Sequence, residues 1–254
     1  PPNPHFVGNG LCVLLDDSQI DLTGSERAWF YRRADLIIAH SGAERAAQFS
    51  TSFDPSCERL EVHSIAVIRA GLRTEHSRTA FFEVLRRERN MERLVFDGHL
   101  TVHVTLPDVR AGDVVEVSYT LHGGRKSLNG RFGAWIPQEW GLGIIETRLR
   151  LRTPRHRQIS EHGINHPPTP TVTETDGIID KRWRTRERPG IRFEQLTPAW
   201  VTENAAIQFS EWRDWTDVAE HFSPLYEEDA PLPPDLAAEA ARIAEAHPSA
   251  AGRA

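Results

Sequence analysis

Two runs in the middle of the chain set the reading of the rest. Leu100, Val102, Val104 and Leu106 alternate with Thr101, His103 and Thr105, while Val115, Val117, Tyr119 and Leu121 alternate with Glu116, Ser118 and Thr120. A period of two sends successive side chains to opposite faces of a strand, so each run has one apolar and one polar face. Between them lies Pro107-Asp108-Val109-Arg110-Ala111-Gly112-Asp113. Proline presets a turn dihedral, glycine takes positive φ, and aspartate bonds nearby amides. Upstream, Asp97-Gly98 between Phe96 and His99 is a strong two-residue hairpin signal. The pattern predicts consecutive antiparallel strands of one sheet with a buried face.

The same reasoning runs along the chain. Residues 1–10 read as a disordered arm. Leu11–Leu15, the turn-like Asp16-Asp17-Ser18 and Gln19–Leu22 read as strand, turn and strand. Arg27–His40 reads as a long strand closed by a His40-Ser41-Gly42 turn. Leu60–Arg69 is a strand whose alternation slips near Ser64, as a bulge would cause. Phe81–Glu88 is read as strand, followed after the central pair by Arg131–Trp140, Gly143–Thr153 and Ile178–Glu187. In Gly143–Thr153, Ile145, Thr147, Leu149 and Leu151 alternate with Glu146, Arg148, Arg150 and Arg152, which predicts a solvated, arginine-rich face. Pro167–Pro170 is a loop by composition. About a dozen short strands at this spacing predict a mostly β fold, a large antiparallel β-sandwich.

Past residue 196 the pattern changes. Residues 197–209 read as a linker. Ser210 is a candidate N-cap, and Trp215, Val218, Phe222 and Leu225 recur at helical spacing. Pro233-Pro234-Asp235 then opens a second helix through about Ala246, proline being tolerated in a first turn.

At 254 residues, 39% hydrophobic and 26% charged, the chain has the composition of a globular protein with room for a sizeable core. A formal net charge of −6 argues against nucleic-acid binding, which needs a basic face. No apolar run approaches the roughly 18 residues of a membrane span.

Candidate chemistry is sparse. A catalytic cysteine needs a lowered pKa, from a helix N-terminus or a nearby cation. Cys12 sits in an apolar strand and Cys57 follows a turn, so neither reads as a nucleophile, and two cysteines make no disulfide framework. Of the twelve histidines, His99 and His103 share a strand face but stand roughly 13 Å apart, too far for one metal ion. His162 and His166 have only Glu161 beside them. Asp108 and Asp113 read as turn-formers. Gly123-Gly124-Arg125-Lys126-Ser127 lacks the spacing of a phosphate loop. No metal, cofactor or catalytic residue is expected in this chain. Trp135, Trp140 and Trp183 are a possible aromatic platform for a ligand such as a sugar ring, against the commoner role of strand tryptophans in a core.

The stretch RRERNMERLVFDGHLTVHVTLPDVRAGDVVEVSYTLHG resembles the β-rich N-terminal domain, itself of unknown function, of bacterial transglutaminase-like proteins (candidate cysteine proteases). The resemblance rests on Glu88, Arg89, Asp97, Gly98, Asp108, Val109, Arg110, Gly112, Asp113, Tyr119, Thr120 and Gly123. Phe53-Asp54-Pro55, Leu60–His63 and Ser210-Glu211-Trp212 leading to Trp215, Asp217 and Val218 extend it. It implies an accessory β-sandwich domain over residues 11–196 and a helical segment, 210–254, opening a truncated transglutaminase-like core whose Cys-His-Asp triad lies outside this chain. It implies a protein or peptide partner, the downstream core of the same polypeptide, and an exported or periplasmic bacterial protein. The parent polypeptide would then perform cysteine-dependent acyl transfer or peptide hydrolysis. A stand-alone carbohydrate- or peptide-binding sandwich is the third reading.

Overall fold

The structure, a computed structural model, describes residues 3–86, 98–194, 196–198, 200–226 and 233–246. The chain divides into two units, Pro1–Glu211 and Trp212–Ala254. Strands of the first unit are β1 (Val7–Gly8), β2 (Leu11–Asp21), β3 (Ala28–Ile37), β4 (Gln48–Phe53), β5 (Glu58–Arg69), β6 (Leu72–Glu75) and β7 (Phe82–Arg86). They continue as β8 (Leu100–Thr105), β9 (Val114–Gly123), β10 (Gly133–Pro137), β11 (Ile144–Pro154), β12 (Ser160–Ile164), β13 (Thr171–Thr175), β14 (Ile178–Arg188) and β15 (Ala206–Ser210). A short helix, α1 (His40–Ala46), follows β3.

The fold is mostly β. One large sheet runs in the order β13-β14-β11-β2-β3-β9-β5-β6, with β1 beside β2. All its pairs are antiparallel except β2 with β11. Two three-stranded sheets, β10-β15-β12 and β4-β8-β7, complete the unit.

The register shows which face is buried. Ile20 lies opposite Trp29 and Leu151, Ser18 opposite Tyr31 and Leu149, and Tyr31 opposite Tyr119. Directly paired residues share a face, so one face of the large sheet carries Leu149, Leu151, Ile20, Trp29, Tyr31, Tyr119, Val117 and Val115. Both small sheets pack on that same face, at opposite ends. Ile20, Leu149, Leu151 and Trp183 form one core with Phe132, Ile136, Ile207 and Phe209 of the β10–β15 side. Ile65, Val67 and Val115 form the other with Val104, Leu106 and Ala43. The opposite face is polar and laced with ion pairs. Arg150 grips Asp180 at 2.6 Å, Glu146 accepts from Arg148 and Arg184, and Glu116 accepts from Arg32 and Arg73. The arginine-rich face read from β11 is this one.

Several elements differ from the sequence reading. The two central runs are not neighbours in one sheet: β8 pairs with β4 and β7, whereas β9 pairs with β3 and β5. Their apolar faces meet across the core instead, so Pro107–Asp113 turns a corner between sheets. Alternation reports the face of a strand, not its partner. Asp97 lies outside the described residues. Gly98 has φ +67°, and Leu100 is already paired on both sides, with Phe53 and Arg86. Glu88 and Arg89 also lie outside the described residues, and the strand expected at Phe81–Glu88 is Phe82–Arg86. Asp16-Asp17-Ser18 is no turn. β2 runs unbroken through it, with a bulge between Val13 and Leu15. The bulge expected near Ser64 is present, between Val62 and Ser64.

The arm is partly structured: β1 pairs with β2 and Phe6 is buried. Residues 206–209, read as linker, belong to β15, the central strand of its sheet, with Ile207 and Phe209 each 1% exposed. Short length hid it, since the sole alternating residues are Ala206, Ile207, Gln208 and Phe209.

In the second unit, α2 (Trp215–Phe222) is capped by Asp214, not Ser210; its carboxylate accepts the Asp217 N–H at 2.8 Å. Trp212 packs its ring against His221 and Phe222. Trp215 is 86% exposed and Leu225 59% exposed, so the apolar stripe read from the sequence is not buried as one face. The second helix, α3, spans Pro234–Ala246, as the proline pair predicted.

Candidate functional site

The residues of the 108–113 turn are held as one clamp. Asp113, 1% exposed, accepts from Arg69 Nε at 2.7 Å and Nη2 at 2.8 Å, and from the Arg110 N–H at 2.8 Å. Those bonds hold its carboxyl below the usual range, the Arg69 contact contributing most. Arg69 also donates to the Asp108 carbonyl at 2.6 Å, and Arg110 Nε donates to the Asp108 carboxylate at 2.6 Å. Gly112 donates its N–H to the Ile37 carbonyl, and Ile37 donates to Asp113 in return. The turn thus pins the start of β9 to the end of β3. Gly123 ends β9 at φ +91°, where a Cβ would overlap the Cys57 carbonyl. Asp108, Arg110, Gly112, Asp113 and Gly123 therefore shape the backbone.

Tyr119 has a different setting. Between the two small sheets the inward face of the large sheet is uncovered, leaving a cleft of about 420 Å³. Three aromatic rings line it: Tyr31 stacks on Tyr119 at 5.1 Å and Phe49 leans on Tyr119 at 5.5 Å, while Trp29, outside the lining, extends the row by stacking on Tyr31 at 5.3 Å. The row is fixed by register, since Tyr31 and Tyr119 are directly opposite on β3 and β9. Burial pushes both phenols up.

Beside the row lies a charged group on the same face. Arg33 donates to Asp35 at 2.9 Å and lies 3.9 Å from Asp16. Burial raises both carboxyls above their usual range, with Arg33 opposing it. A second hollow of about 340 Å³ shares Asp16, Arg33 and Leu142 and extends to Trp140. Arg45 and Gln48 stand exposed at the rim. Aromatic faces beside an Arg–Asp group suit an extended peptide carrying polar side chains. The lining holds Ser50 but no histidine to activate it.

The three tryptophans do not form a platform. Trp183 is 1% exposed in the core, stacked edge-on with Phe209, while Trp135 is 44% exposed on β10. Trp140 lines the second hollow beside the cleft. Of the acids there, Asp16 reads in the sequence as a turn-former. The signal that could have found them is Trp29, Tyr31, Arg33 and Asp35 at period two on one strand, a row changing from aromatic to charged.

The thiols are both free. Cys12 is fully buried, and burial with the nearby Asp35 charge pushes its pKa up. Cys57 donates to the Asp54 carboxylate at 3.2 Å, and partial burial and that bond push its pKa up as well. His162 sits on β12, and His103 on β8 lies 3.3 Å from the Thr105 hydroxyl.

A family model for a domain of unknown function with a solved structure, DUF3857, matches residues 25–191. The match covers more than half of the chain, which belongs to this family. Among solved structures the chain is similar to a putative protease from Parabacteroides distasonis, at 11% identity and a TM-score of 0.75, covering 88% of this chain and 45% of that one. An M1 zinc metallopeptidase from Deinococcus radiodurans superposes at 13% identity and a TM-score of 0.38, over 79% of this chain and 42% of that one. Aminopeptidase A from Legionella pneumophila, solved with aspartic acid, gives 10% identity and 0.42, over 80% and 22%. The first likeness shows a shared fold. The chain spans less than half the length of each. No curated protein matches it.

Proposed function

We propose that the chain is a non-catalytic accessory and interaction module of a bacterial transglutaminase-like protein, whose catalytic Cys-His-Asp core lies outside residues 1–254. The observation that carries this reading is the setting of the two thiols. A thiol nucleophile needs surroundings that favour the thiolate, and both Cys12 and Cys57 have surroundings that oppose it. Membership of DUF3857, and a fold shared with less than half of a putative protease, support an accessory place beside a catalytic part. The partner is a peptide segment of the same polypeptide's core, and the cleft between the small sheets is where it docks.

The test is association. The remainder of the parent polypeptide, expressed separately, is titrated into this chain by calorimetry, beside the Arg45→Glu variant. Arg45 is exposed at the cleft rim, so its reversal leaves the fold intact. Binding that weakens at least ten-fold in the variant is expected. A remainder without a Cys-His-Asp set, or one that binds both proteins equally, contradicts the reading.

A further inference from the structure

A second pocket, remote from the cleft, is lined by glycines and cations together with one acid, Glu26, and the apolar Leu22, Leu128 and Phe132. It has about 360 Å³ and lies between the β2–β3 turn, Cys57, the β9–β10 loop and Arg157. The loop is the Gly123-Gly124-Arg125-Lys126-Ser127 stretch that fails as a phosphate loop by spacing, continued through Gly130 to Gly133. Five cationic side chains line the pocket: Arg27, Arg125, Lys126, Arg131 and Arg157.

Their states of pairing differ. Arg157 is fully engaged, with Glu211 at 2.5 and 2.8 Å and the Gly130 carbonyl at 2.9 Å. Arg27 is not. It spends Nη2 on Glu58 at 2.8 Å, while its Nε is buried with no hydrogen-bond partner. A buried guanidinium N–H without an acceptor is costly, more so than an unpaired amide. Arg125 and Lys126 are exposed at the mouth and make no ion pair among the described residues. The chain as a whole is acidic, at −6. An arginine charge at depth, two unpaired cations at the rim and glycine walls that admit close approach are what an oxyanion needs.

We propose that this pocket binds a compact oxyanion, the phosphate or carboxylate group of a small ligand, with the Arg27 guanidinium as the inner charge and Arg125 and Lys126 as the outer charges. The proposal is independent of the accessory reading and of the cleft. The guanidinium of Arg27, 5.4 Å from the Trp29 ring centre and bonded to Glu58, is held in place as the fixed charge at the inner end of the pocket.

Amide NMR of the whole chain tests it, titrating inorganic phosphate, pyrophosphate and N-acetyl-alanyl-alanine against its uncharged amide. Saturable shifts at Gly124 and Gly130 are expected with at least one of the three anions and not with the amide. The phosphate and peptide arms show which source is preferred. An Arg125→Gln, Lys126→Gln double variant is expected to bind at least ten-fold more weakly with an unchanged spectrum elsewhere, because neither side chain holds the fold. Equal binding by the double variant, or no saturable shift with any anion at millimolar concentration, overturns the proposal.

Discussion

Asp113 closes on Arg69 through two N–H···O bonds, at 2.7 and 2.8 Å, with its carboxylate almost wholly removed from solvent. One end of this pair sits on β5 and the other at the head of β9, so it ties together two strands and the turn that crosses from the small sheet to the large one. Asp113→Ala removes a carboxylate that accepts three bonds, two of them from the Arg69 guanidinium. A loss of about 2 kcal/mol or more is expected in urea unfolding. A midpoint within error of the parent would mean the clamp is ornamental.

The same pair gives a pH dependence. The folded carboxyl titrates below its unfolded range, so its stabilisation is present above the unfolded pKa of about 3.9 and is lost as pH falls through the folded value. Glu75 behaves alike. Burial opposes its ionisation, yet bonds from Ser64, the Ile65 N–H and Ser77 outweigh it and lower it to about 2. Stability should therefore fall between about pH 4.5 and 2, and Glu75→Gln should flatten part of that fall.

Asp16 in the cleft has the opposite sign. Burial raises its folded pKa, so ionisation works against the fold as pH rises through that value. Asp16→Asn is expected to leave Tm unchanged or higher at pH 7, the difference vanishing below the unfolded pKa. A stabilising substitution at a cleft residue is the mark of a group kept for binding, at a cost in stability. A lower Tm at pH 7 would show that Asp16 is a structural ion-pair partner of Arg33.

Gly123→Ala places a side chain at φ +91° against the Cys57 carbonyl. Destabilisation of more than about 1 kcal/mol is expected, because the strain and the overlap act together. Thermal unfolding of the variant settles it.

Much of the fold was legible from alternation, because β9 and β11 are long and half-buried. Their inward residues follow from a period of two. Pairing was not legible. The runs ending at Leu106 and starting at Val115 look like a hairpin because a turn joins them, but their apolar faces pack on one another. A hairpin would place those faces side by side. β15 was missed because five residues carry too little pattern. The turn chemistry of Asp108, Gly112 and Asp113 could be read, whereas its partner Arg69 could not, being 44 residues away from Asp113. The cleft was invisible for a like reason: Tyr31, Tyr119, Asp16 and Arg33 meet only once the sheet order is known. Trp183 was misplaced because strand tryptophans read alike whether they face solvent or core.

Turnover by the chain itself tests the central claim most directly. Residues 1–254 are assayed for thiol-dependent acyl transfer and peptide hydrolysis beside the double variant Cys12→Ser, Cys57→Ser. The account predicts no turnover above that of the double variant at any pH from 6 to about 9, the span over which an ordinary thiol ionises. Turnover that is present in the parent chain and absent from the double variant would contradict it.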